Sequence, residues 1–107
     1  MADPDLTLKQ HDTYPPLRAT LSASDGPIDL TTATQVKVIL RTDAVILTGV
    51  CTIENAPLGV VRYDWAVGDL AVAGDYDGEF EITWNTGRIE TVPNDDYILF
   101  RVKADLG

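Results

Sequence analysis

Cysteine, histidine and long apolar runs are nearly absent from this chain of 107 residues, which holds one cysteine, Cys51, and one histidine, His11. A lone cysteine excludes an intrachain disulfide and any multi-cysteine zinc site. A lone histidine in the polar segment Lys9–Thr13, with no Gly-x-Ser-x-Gly elbow in the chain, leaves hydrolytic catalysis without a base–nucleophile pair. No segment approaches the ~18 consecutive apolar residues of a membrane span, and Met1-Ala2-Asp3-Pro4-Asp5 carries neither a basic start nor an apolar run. The chain therefore reads as a soluble protein made in a cytoplasm, with no membrane insertion. Basic residues are also scarce: eight Lys and Arg stand against seventeen Asp and Glu, a formal net charge of −9. Phosphate backbones require clustered cations, so nucleic acid is not an expected partner.

What is present is β pattern. In Gly74-Asp75-Tyr76-Asp77-Gly78-Glu79-Phe80-Glu81-Ile82-Thr83-Trp84, the residues Tyr76, Phe80, Ile82 and Trp84 share one parity. Asp77, Glu79, Glu81 and Thr83 take the other. Alternate residues of a strand face opposite sides, so this is a strand with one buried and one wet face. Similar alternation marks Leu17–Leu21, Gln35–Arg41, Val45–Ile53, Val60–Trp65 and Tyr97–Ala104. Turn residues at Ser24-Asp25-Gly26-Pro27, Asn55-Ala56-Pro57-Leu58-Gly59 and Thr86-Gly87 separate these runs. Only Gly68–Gly74 has room for a helical turn, and it is too short for a stable helix.

Seven to eight short strands with a turn about every ten residues predict a single all-β domain over residues 1–107, an Ig-like antiparallel β-sandwich. The cysteine pair of antibody domains is missing, and a small closed barrel shows the same cadence. Residues 1–14 form an extended N-terminal arm or edge strand, bounded by Tyr14-Pro15-Pro16, where proline cannot donate to a ladder. The arm is expected to dock on its own domain, though its extended character also fits strand addition to a partner. A two-residue Thr86-Gly87 loop would set Trp84 opposite Ile89 and Ile82 opposite Thr91. Burial of Trp84 and Ile82 is then worth roughly 2–3 kcal/mol each, and Trp84→Ala is expected to unfold or strongly destabilise the domain.

Candidate chemistry is thin. Cys51, beside Val50 and near Ile53, reads as a small buried hydrophobe. His11 reads as a solvated loop residue, and Ser22 and Ser24 as turn residues. Gly74 and Gly78 lie in a β pattern instead of preceding a helix, so they form no phosphate loop. Asp77, Glu79 and Glu81 share a strand face at about 6–7 Å spacing, too wide for one ion, and read as a solvated face. Asp64, Asp69 and Asp75 would have to converge from separate loops, with Asn94-Asp95-Asp96 as a further oxygen cluster. No loop matches the Asp-x-Asp-x-Asp-Gly calcium type. No catalytic, cofactor-binding or metal-binding residue is assigned, and no cofactor is expected. Tyr14, Tyr63 and Tyr97 are the aromatic candidates for stacking on a glycan.

Five segments, in order, carry a family resemblance: Lys9-Gln10-His11-Asp12-Thr13-Tyr14-Pro15-Pro16-Leu17, Ile28-Asp29-Leu30-Thr31-Thr32-Ala33-Thr34, Gly59-Val60-Val61-Arg62-Tyr63-Asp64-Trp65, Ala73-Gly74-Asp75-Tyr76-Asp77-Gly78-Glu79-Phe80 and Glu90-Thr91-Val92-Pro93-Asn94-Asp95-Asp96-Tyr97. Together they resemble the small Ig-like domains of phage tail and baseplate proteins, including the N-terminal domain of the baseplate upper protein family. His11 and Thr32 depart from the pattern, standing where glycine is expected. The resemblance implies a non-enzymatic virion protein that assembles with other virion proteins and forms a homo-oligomer in the particle. The arm Asp3–Tyr14 and the loops around Asp43 and Asp95 would make the contacts. A capsid decoration or head–tail connector protein is the alternative within the virion, and a host-surface carbohydrate- or receptor-binding module the alternative outside structural roles.

Overall fold

The computed structural model describes residues 5–43, 45–93 and 97–106. The chain is all-β. The described residues form ten strands: β1 (Leu6–Lys9), β2 (Leu17–Thr20), β3 (Ser22–Ala23), β4 (Gly26–Pro27), β5 (Ala33–Arg41), β6 (Ile46–Asn55), β7 (Val60–Tyr63), β8 (Gly74–Trp84), β9 (Ile89–Val92) and β10 (Ile98–Lys103). Among the described residues no helix is long and apolar enough to cross a membrane.

One hydrogen-bonded path runs β1-β10-β8-β5-β6-β7-β2, with β9 also on β8 and β3–β4 as a separate hairpin. The path curls. Leu17 and Val61 from one end and Phe100 and Val102 from the other join a single buried cluster with Val36, Val38, Leu40, Phe80 and Ile82. The parity of the sequence explains this: β5 turns Val36, Val38 and Leu40 inward, and β8 turns Tyr76, Gly78, Phe80 and Ile82 inward. Strand β6 is long enough to serve two neighbourhoods. It pairs with β5 over Ile46–Cys51 and with β7 over Thr52–Asn55, so it carries the sheet around the bend.

Three details differ from the expectation. The strands among the described residues number ten, because Ser22–Ala23 and Gly26–Pro27 pair as a short hairpin around the Ser24-Asp25 turn and because the arm contributes Leu6–Lys9 as a ladder strand. The ladder is not wholly antiparallel: β1 runs parallel to β10, with Leu6 opposite Phe100 and Lys9 opposite Lys103. The β8–β9 hairpin is also offset by one residue. Its loop is Asn85-Thr86-Gly87, closed by Trp84 N–H to the Arg88 carbonyl (2.8 Å) and Gly87 N–H to the Trp84 carbonyl (2.9 Å). Gly87 adopts φ +85°, the left-handed position that a three-residue hairpin loop needs. Thr83 thus faces Ile89 and Ile82 faces Glu90. The offset falls on β9, leaving Ile89 exposed, while β8 keeps its predicted faces. Trp84 is only half-buried, its indole N–H reaching Glu90 at 3.3 Å.

Candidate functional site

The outer face of the sheet carries the acidic residues. Strand β8 presents Asp77, Glu79 and Glu81 there, and the β5 register sets Arg41, Ile39 and Lys37 opposite them in turn. Cross-strand neighbours stand ~5 Å apart, so the acidic column is lined by a partly basic one. The carboxylates are not simply a solvated face: Glu79 and Glu81 are half-buried, and Asp77 and Glu79 wall a shallow depression of about 170 Å³ with Ile39, Arg41 and Tyr97. On the far side of β5, Ile46 and Val50 of β6 are exposed on this same face.

The other acidic candidates are drawn apart. Asp64 pairs with Arg62 (3.1 Å), Asp75 with Arg101 (2.8 Å), and Asp69 accepts from the Tyr63 hydroxyl and from the Ala66 N–H. No three acidic, histidine or cysteine side chains stand close enough to hold a metal ion among the described residues. Asn94-Asp95-Asp96 lies outside those residues. Glu54 bridges Arg18 (3.0 Å) and Arg62 (2.8 Å), joining β2, β6 and β7 on the surface. Arg101 holds the Asp75 carboxyl below its usual range through their hydrogen bonds.

Cys51 is buried in the core, and burial pushes its thiol up to about 11, away from nucleophilic use. Ser22 lies in β3, Ser24 in its exposed turn, and His11 is exposed. Gly74 opens β8 and Gly78 lies within it. Gly78 is buried where a Cβ would come within 2.4 Å of the Phe100 ring and 2.7 Å of Leu40, so its role is to admit that ring. Sequence reading missed this use. An isolated glycine inside an alternating strand was the available signal.

The three tyrosines divide. Tyr63 is tied into the fold by Asp69 and stands edge-on to Trp65, with ring centroids 5.3 Å apart. Tyr14 is 79% exposed and Tyr97 52% exposed. Of the expected contact segments, Asp43 is exposed at the β5–β6 loop, whereas Asp3 and Asp95 lie outside the described residues. Leu6–Lys9 is docked on its own domain as β1, at the end of the sheet path, where one edge has no strand partner among the described residues. Beside β1 the chain returns through Asp12, Tyr14, Pro15 and Pro16, leaving a slot of about 400 Å³.

His11 and Thr32, the two departures from glycine, behave differently. His11 takes φ +70° and donates its backbone N–H to the Leu70 carbonyl at 2.9 Å. Thr32 is not among the positive-φ residues; its carbonyl accepts from Asn85 N–H.

No family model matches this sequence, and no curated protein matches it. A solved structure does. The fold is similar to the N-terminal domain of phage TP901-1 ORF48, with a TM-score of 0.66, 15% sequence identity, and coverage of 94% of this chain and 83% of that one. At that identity the likeness is one of fold, shared across nearly the whole chain with a domain of a phage protein.

Proposed function

We propose that this protein is a non-enzymatic structural component of a phage particle, an Ig-like domain of the tail or baseplate that assembles with other virion proteins. The observation that carries this reading is the shared fold with a phage protein's N-terminal domain over 94% of the chain. The ordered set of sequence segments from Lys9 to Tyr97 supports it independently, because it resembles tail and baseplate domains at the level of sequence. The surface agrees with a role in contacts: a β1 edge without a strand partner among the described residues, and an outer sheet face where exposed Ile46 and Val50 lie beside columns of opposite charge. Many copies in a symmetric particle multiply a weak interface, so such modest surfaces suffice for assembly.

The test is antibody–gold labelling of intact particles, with mass spectrometry of purified, denatured particles alongside. Label at the tail end is expected. Label over the head would make the protein a decoration or connector component. Particles that lack the protein altogether would overturn the structural reading.

A further inference from the structure

Strand β1 closes the sheet path, one edge has no strand partner among the described residues, and β1 borders the slot left by the returning chain. Leu6, Leu8, Tyr14 and Pro15 are its apolar lining. At about 400 Å³ the space falls in the range of ligand-binding clefts. All four β1 residues line it, so the trough runs along a strand length of about 13 Å.

The charge at its lip is unusual for this protein. In a chain of net charge −9, Lys9 and Lys103 stand directly opposite each other in the β1–β10 register, and both are exposed. Neither makes an ion pair among the described residues, although Asp12 also lines the slot. Like charges placed directly opposite are destabilising, and an added carboxylate relieves the repulsion. Lysines on a strand edge also repel basic strands and lose hydration under uncharged ones, so the same pair selects among partners.

We propose that the slot beside β1 receives an extended segment of a neighbouring protein that alternates apolar and acidic residues, added as a further strand to the β1 edge. Its backbone pairs with β1. Its apolar side chains fill the trough against Leu6, Leu8 and Tyr14, and its carboxylates meet Lys9 and Lys103. Strand addition of this kind takes its affinity from main-chain hydrogen bonds and its specificity from alternate side chains. The identity of the partner as a virion protein rests on the function proposed above; the chemistry of the slot does not.

The experiment uses the purified protein, isotope-labelled, titrated with a blocked eight-residue peptide alternating valine and glutamate. The control is the same peptide with lysine for glutamate. Saturable amide shifts centred on Thr7, Leu8, Lys9 and Tyr14 are expected, weakening as salt is raised. Affinity should fall at least tenfold with the lysine peptide, and likewise for a Lys9→Glu/Lys103→Glu variant. If that variant does not keep the parent amide spectrum, Lys9→Gln/Lys103→Gln replaces it, with a smaller loss expected. No saturable shift at these amides, shifts centred elsewhere, or equal binding of the lysine peptide would overturn the proposal. Peptide binding by a protein that particles lack would sink the virion reading and spare the slot; the reverse pair of results would do the opposite.

Discussion

Tyr63 occupies the space above Gly49: a Cβ added at Gly49 would lie 2.2 Å from Tyr63 Cε1 and 2.5 Å from Cζ. The glycine on β6 exists to admit this ring, which in turn reaches Asp69 through its hydroxyl. Gly49→Ala should therefore force the ring aside and cost about 1–3 kcal/mol by overpacking. Urea denaturation measures this, and the cost should shrink in a Tyr63→Ala background, where the clash is absent. Equal costs in both backgrounds would separate the two residues.

Phe80 lies at the centre of the core and is 1% exposed, whereas Trp84 is half-buried at the end of the same strand. Phe80→Ala should cost about 3–5 kcal/mol, and Trp84→Ala clearly less. The half-burial of Trp84 thus lowers the sequence-based expectation that Trp84→Ala unfolds or strongly destabilises the domain. Denaturant midpoints of the two variants decide it.

His11 holds a left-handed backbone that side chains other than glycine adopt at a cost of about 1 kcal/mol or more. His11→Gly should raise stability by up to about 1 kcal/mol, the relief of strain being partly offset by the freer unfolded chain. A lower melting midpoint in the variant would contradict this.

Asp75 is held below its usual range by the side-chain hydrogen bonds from Arg101; at Glu54 desolvation is the largest single influence and pushes upward, but the hydrogen bonds and charges of Arg18 and Arg62 together outweigh it and leave that carboxyl lowered as well. A depressed carboxyl contributes stability that is present above its unfolded value, near 3.8 for Asp and 4.5 for Glu, and is lost as pH falls through the folded value. Stability should thus decline as pH drops below about 4.5. Asp75→Asn should flatten that decline slightly, as read from melting curves at several pH values.

Cys51 gives an independent reading of the core. With its thiol buried and raised to about 11, a thiol reagent at pH 8 should label it only as fast as the domain opens. Labelling of native protein at the rate of a free thiol would place Cys51 outside the core.

Much of the architecture was legible because parity in a strand is a local property. Tyr76, Phe80 and Ile82, Val36 and Val38, and Phe100 and Val102 announced their buried face without knowledge of any neighbour. What escaped is non-local or turns on a single dihedral angle. The β9 register depended on whether Gly87 closes a two- or a three-residue loop, and both use glycine. The parallel docking of β1 joins residues some ninety positions apart, for which no periodicity exists. The candidate surfaces were less legible still. Asp77, Glu79 and Glu81 could be assigned to one face, but that Arg41 and Lys37 stand against them required the β5–β8 register. Asp64, Asp69 and Asp75 gave no hint of their separate partners.

The parallel pairing of β1 with β10 has a mechanical consequence. The chain enters β1 at the end where Leu6 meets Phe100 and leaves β10 at the opposite end, where Lys9 meets Lys103. Tension passed along the polypeptide through both strands therefore slides them lengthwise past each other. Every bond of that ladder is loaded at once, instead of opening one by one as in a zipper. The joint resists pulling best along the direction in which the chain itself would transmit it.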